Sequence, residues 1–217
     1  MGEVAPQALA RPRLRGVSHE WAFYGSLVAA APLVVVADGG AARVAAAVFM
    51  AGMAAMFGAS ALYHRVSWKS TAKRLWARRL DHSTIFVFIA GTYTPFALLG
   101  LHGVMRWIVL AMAWAGAALG LALELAWIDS PRWLSAAAYL LVGWVGVLTV
   151  PQLFSGMGVA VAVLLIVGGA VYSLGAVIYA TRWPDPFPRV FGFHEVFHLL
   201  VVAAAVIQFV AVCLVVT

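Results

Sequence analysis

The stretch RRLDHSTIFVFIAGTYTPF, Arg78 to Phe96, opens on charge and continues in residues suited to lipid. From Ser83 to Leu101 it holds no Asp, Glu, Lys, Arg or His. A run of that length meets the roughly 17–25 residues a helix needs to span a bilayer core. Asp81 and His82 stand at its mouth, where a charge and a metal-ligand side chain are costly unless they have work to do.

Working outward, the same length test selects seven apolar segments: Trp21–Ala37, Val44–Tyr63, Ser83–Leu101, Trp107–Trp127, Trp133–Val150, Met157–Ala180 and Phe193–Val216. Backbone polar groups must be satisfied within each segment in lipid, so all seven are expected as helices. The chain of 217 residues is 65% hydrophobic and only 10% charged, with a mean hydropathy of +0.98. A soluble domain of this length cannot bury so much apolar surface, so the expected class is an all-α integral membrane protein, a seven-helix bundle with the bilayer as its partner. Short loops make neighbouring helices antiparallel and leave no room for a second domain. Residues 1–20 are expected as a short cytoplasmic arm and 21–217 as the membrane domain. The arm places basic residues before an apolar run, as a signal peptide does, but the run is long and more spans follow.

The net charge of +6 points to lipid headgroups and orientation rather than to nucleic acid, because no basic-aromatic interleaving accompanies it. Of the fourteen Lys and Arg, twelve fall on one side of the expected bundle, and only Arg43 and Arg106 fall on the other. The positive-inside rule then sets the N-terminus in the cytoplasm and, after seven spans, the C-terminus outside. Cys213 is the single cysteine, so an internal disulfide is impossible.

With that orientation, polar residues converge at one depth. Helix 2 ends in SALYH, with Ser60 and His64 four apart on one face. Helix 3 begins with Asp81 and His82. Helix 7 begins in HEVFH, with His194 and His198 again four apart. Three imidazoles, His64, His194 and His198, suit Zn2+ with one position left for water. Asp81 is expected to bond that water or a ligand ring and to act as base. Ser60, one turn deeper, orients Asp81 or polarises a carbonyl. One interfacial histidine alone would read as an anchor, and HxxxH alone lacks the glutamate of soluble metalloproteases. Three histidines and an aspartate from separate segments at one depth tip the reading toward a metal site.

SALYH, LDHSTIFVFIAGTYTPF and HEVFHLLVVAAA together resemble the three signature segments of the hemolysin III family, the bacterial branch of the progestin and adipoQ receptor superfamily. The resemblance runs through essentially the whole chain. It implies a seven-helix fold with a cytoplasmic N-terminus in a bacterial plasma membrane. It also implies zinc on His64, His194 and His198, with Asp81 and Ser60 beside it. The wider group includes alkaline ceramidases, which implies hydrolysis of a lipid amide or ester in membrane lipid homeostasis. The superfamily's hormone receptors carry additional N-terminal sequence, so the short arm here turns the expectation away from hormone signalling. Two other readings stand beside the hydrolase. In one, zinc is structural and the protein senses or regulates membrane state. In the other the family name is literal and the protein is a cytolysin, which the missing amphipathic strand pattern opposes.

Several residues are expected to be secondary. His82 points about 100° away from Asp81 and reads as interfacial. His19 lies at the inner end of helix 1, within possible approach of the site. His102 lies on the outer side. Glu195 is spaced to support His198, though water or headgroups explain it equally. Glu124 is expected to snorkel or pair. Pro95 should free the Gly91 carbonyl, with Thr92 or Thr94 compensating. Gly116 and Gly120 signal close helix packing. Trp21, Trp107, Trp127 and Trp133 suit an aromatic belt.

Overall fold

The computed structural model describes residues 12–217, so most of the expected arm, residues 1–11, lies outside the described residues. Those described contain eight α-helices and no β-sheet: α1 Val17–Val36, α2 Gly39–Arg65, α3 Thr71–Gly100, α4 Gly103–Ala126, α5 Arg132–Gly143, α6 Val150–Met157, α7 Val159–Thr181 and α8 Phe193–Val216. Six of them, all but α5 and α6, are long and apolar enough to cross a membrane. Consecutive helices other than α5 and α6 pack side by side, and α3 is the hub, touching α2, α4, α5, α6 and α8.

Helix boundaries follow local chemistry. The first helix starts at Val17, four residues before the expected Trp21, because Gly16 takes φ +79° and turns the chain into it. The third helix is longer than its apolar run. Ser70 caps it by accepting from the Lys73 backbone N–H at 3.5 Å, and a basic amphipathic stretch, Thr71–Leu80, precedes the buried part. Pro95 lies inside α3; Thr92 and Thr94 donate to the carbonyls of Phe88 (2.9 Å) and Ala90 (3.0 Å) rather than to that of Gly91.

The fifth expected span, Trp133–Val150, is not one helix. It divides into α5, a 3₁₀ turn Val145–Thr149 and α6. Pro151 sits in the first turn of α6, where its missing N–H is no loss but where a continuing helix would lack a bond. The break is held by Tyr93 of α3. Its hydroxyl donates to the Gly143 carbonyl and accepts from the Gly146 N–H at 2.8 Å, satisfying groups the interrupted helix leaves orphaned.

Close approach of α2 and α3 is set by reciprocal glycines. A Cβ on Gly52 would lie 3.3 Å from the Phe88 Cα, and one on Gly91 would lie 3.3 Å from the Val48 carbonyl oxygen. Without side chains there, van der Waals packing brings the two backbones together, the usual route to helix association in lipid. Gly116 and Gly120 likewise admit Val142 of α5 and Phe86 of α3 against α4. Trp21, Trp107, Trp127 and Trp133 are all exposed, at helix ends, as a belt requires.

Candidate metal centre

The start of α1, the end of α2, the first half of α3 and the start of α8 meet around four imidazoles, His19, His64, His194 and His198. One ring nitrogen from each of His64, His194 and His198 falls within 4.8 Å of the others. The Nε2 atoms of His64 and His194 face each other at 3.3 Å. A tetrahedral zinc with Zn–N bonds of about 2.0–2.1 Å separates two of its nitrogens by about 3.3 Å, so the three donors fit that ion in type and the His64–His194 pair fits it in spacing. His198 is buried, and its Nδ1 has no protein partner among the described residues. The two helices reach this geometry for different reasons. His64 ends α2, whose register the α2–α3 glycines fix. His194 and His198 occupy successive turns of α8, so one face presents both.

Asp81 approaches the same atom that faces His194: its Oδ2 lies 3.4 Å from His64 Nε2. The carboxylate therefore flanks the point where the rings converge, rather than the far side of the His64 ring. Ser60 is buried one turn above His64, and its Oγ has no protein partner among the described residues. A serine in a helix ordinarily spends its hydroxyl on a carbonyl one turn back, so this one is held in reserve. Ser60, Asp81, His194 and His198 line one end of a cavity of about 640 Å³ that is otherwise mostly apolar.

His19 enters this group more closely than its position in the chain suggests. Its ring stacks on that of His198, with centroids 3.8 Å apart and planes 9° from parallel, and both its nitrogens are buried without hydrogen-bond partners among the described residues. The first turn of α1 is tied down from two sides. Arg15 meets Glu195 Oε1 at 2.6 Å, and Arg65 meets Glu20 at 2.7 Å. Glu195 is thus no support for His198. Its other oxygen caps α8 by accepting from the Gly192 N–H at 2.7 Å, and the residue links the segment before α1 to the helix that carries two of the histidines.

A second polar cluster lies beside the first. His82 has a protein partner: its Nδ1 is 3.1 Å from Glu124 Oε2, and Ser135 donates to the other oxygen at 2.8 Å. Glu124 is wholly buried, and a carboxylate in that position is tolerable only with such partners. These residues come from α3, α4 and α5, so no spacing in the chain reveals the cluster. His102 is exposed and precedes α4, beyond the far end of α3 from Asp81.

Residues 7–209 match the family described as "Haemolysin-III related". The chain belongs to the hemolysin III family. Among its relatives, the Hemolysin-3 homolog of Bacillus subtilis is 32% identical over 162 residues, covering 75% of this chain and 72% of that protein. Hemolysin-3 of Bacillus cereus is 33% identical over 131 residues, 60% of this chain and 57% of the relative. An adiponectin receptor protein of Drosophila melanogaster is 30% identical over 178 residues, 74% of this chain and 40% of the receptor. The hemolysin III family is thereby joined to the progestin and adipoQ receptor superfamily. With six apolar helices and bacterial relatives, this member is a multi-pass integral protein of the bacterial membrane.

Proposed function

We propose that this hemolysin III protein is a zinc-dependent hydrolase of lipid amide or ester bonds, with its site at the cytoplasmic side of a seven-span bundle. In this reading α5, the 3₁₀ turn and α6 together make the fifth crossing. The N-terminus is cytoplasmic and the C-terminus outside. The observation that carries the proposal is the juxtaposition of three converging imidazoles, a flanking carboxylate and an uncommitted serine hydroxyl at one end of a large apolar cavity.

His64, His194 and His198 would hold the ion. Bound zinc supplies Lewis acidity toward a carbonyl and lowers the pKa of water. The chain's own groups do the rest. The cavity takes the acyl chain and keeps bulk water away from the reacting carbonyl. Asp81, through a carboxylate oxygen, accepts the proton released as water attacks and returns it to the leaving nitrogen or oxygen. Ser60 Oγ–H donates to the carbonyl oxygen and fixes its direction.

The experiment is turnover of a fluorescent N-acyl lipid by the purified, zinc-loaded protein in nanodiscs, with Asp81→Asn beside it. Release of fatty acid by the parent protein, and its loss in Asp81→Asn, is the expected result. No turnover of either amide or ester substrates by zinc-replete parent protein removes the hydrolase reading. A structural zinc is the second reading, favoured by one feature: the three ligands join α2 to α8, which are distant in the chain. It predicts mild consequences for Asp81→Asn and severe ones for loss of a ligand.

A further inference from the structure

Away from the histidines the cavity is not uniformly apolar. Four hydroxyls near its wall are consumed by backbone carbonyls: Thr92 by Phe88, Ser173 by Gly169, Thr149 by Gly146 and Tyr93 by Gly143. Two polar groups are different. The Tyr172 hydroxyl and Gln208 Oε1 are both buried, both belong to cavity-lining residues, and neither has a protein partner among the described residues. Gln208 is only 4% exposed. Its amide nitrogen is held at 3.5 Å from the Leu165 carbonyl, and it fits against α7 because Gly168 has no side chain; a Cβ there would lie 2.4 Å from that nitrogen. Tyr172 lies one turn along α7 from Gly168, on the same face. Tyr172 and Gln208 therefore bring two unpaired polar groups to one part of the cavity wall, where α7 and α8 pack together. Leaving both unpaired in an apolar setting would be costly.

We propose that Gln208 and Tyr172 form a recognition subsite for a hydroxyl group carried part-way along an acyl chain. The inference rests on the reading that a lipid occupies the cavity with its carbonyl end at the histidines. Gln208 follows His198 by ten residues, about 15 Å along α8. An extended chain of about a dozen carbons, with bonds of about 1.5 Å at tetrahedral angles, covers that length. The hydroxyl would donate to Gln208 Oε1 and accept from the Tyr172 O–H, satisfying all three groups at once. A plain chain of the same length would leave two protein groups unpaired, which is how a polar subsite rejects a ligand lacking the matching group.

The test is competition for a fluorescent fatty acid bound to the full-length, zinc-loaded protein in nanodiscs. The competitors are stearate, 12-hydroxystearate and 3-hydroxystearate, and the proteins are parent, Tyr172→Phe, Gln208→Leu and the double variant. The parent should prefer 12-hydroxystearate to stearate by about fivefold, the worth of a net hydrogen bond, and should show no such preference for 3-hydroxystearate. The double variant should bind stearate and 12-hydroxystearate within about twofold of each other, with stearate affinity kept. Tyr172→Phe, which removes an oxygen and adds no volume, gives the same readout if Gln208→Leu folds poorly. Equal affinities in the parent, as expected if the two groups serve only trapped water, overturn the subsite while leaving the lipid cavity standing. A preference that survives in Tyr172→Phe and the double variant also overturns it. Failure of every fatty acid to compete removes the lipid reading and the subsite with it.

Discussion

At Gly16 the backbone takes φ +79°, and a Cβ added there would lie 2.5 Å from the Cβ of His64. A residue outside any apolar run thus abuts a proposed ligand. Gly16→Ala should cost about 1–2 kcal/mol in backbone strain alone, and it must also displace His64. Zinc affinity, measured by titration against a chelating dye, should fall at least about tenfold, which is the scale on which misplaced support weakens metal sites. Lower thermal stability with unchanged zinc affinity would remove His64 from the ligand set. His198→Ala and Asp81→Asn separate holding the ion from using it. Loss of a ligand should strip most of the zinc, as elemental analysis of the purified variant would read, and should lower stability because metal binding is folding free energy. Asp81→Asn keeps the side chain's size and should weaken zinc by at most about 10–100-fold. Two variants that both retain the parent's zinc would shift the ligand assignment, with His19, stacked on His198, the next candidate.

Elements meet here through a few side chains that complete broken backbone. The divided fifth span depends on one: Tyr93 bonds both the Gly143 carbonyl and the Gly146 N–H across from α3. Tyr93→Phe leaves two backbone groups unpaired and should destabilise the protein by about 1–3 kcal/mol, read as a lower midpoint on thermal denaturation in detergent. An unchanged midpoint would mean that water satisfies the break instead. The His82–Glu124–Ser135 cluster performs a similar service for α3, α4 and α5, taking a carboxylate that would be intolerable alone and making it a clamp.

The whole molecule must sit in the bilayer one way round. Its charge asymmetry, twelve cations against two across the proposed seven spans, is a strong orienting signal. A reporter fused after Thr217 should therefore be found outside the cytoplasm, as assayed by an alkaline phosphatase and green fluorescent protein pair. A cytoplasmic reporter would mean that the bundle sits the other way round, because the contact between His64 at the end of α2 and His194 at the start of α8 keeps those two ends at one face.

The sequence by itself determined the helical membrane class, the family, and the pairs that share a helix face. These depend on run length and on a period of 3.6 residues, both local properties of a chain in lipid. Ser60 with His64, and His194 with His198, needed nothing more. Only the tertiary structure decided how faces on different helices turn toward one another, because rotation about a helix axis is set by packing, here by Gly52 and Gly91 between α2 and α3. It brought Asp81 to the His64 nitrogen that faces His194, stacked His19 on His198, and matched His82 to Glu124 across more than forty residues of chain. It also divided the fifth apolar run, which hydropathy reads as continuous. Hydropathy reports what lipid tolerates, whereas the break depends on a proline and on a tyrosine hydroxyl supplied by another helix.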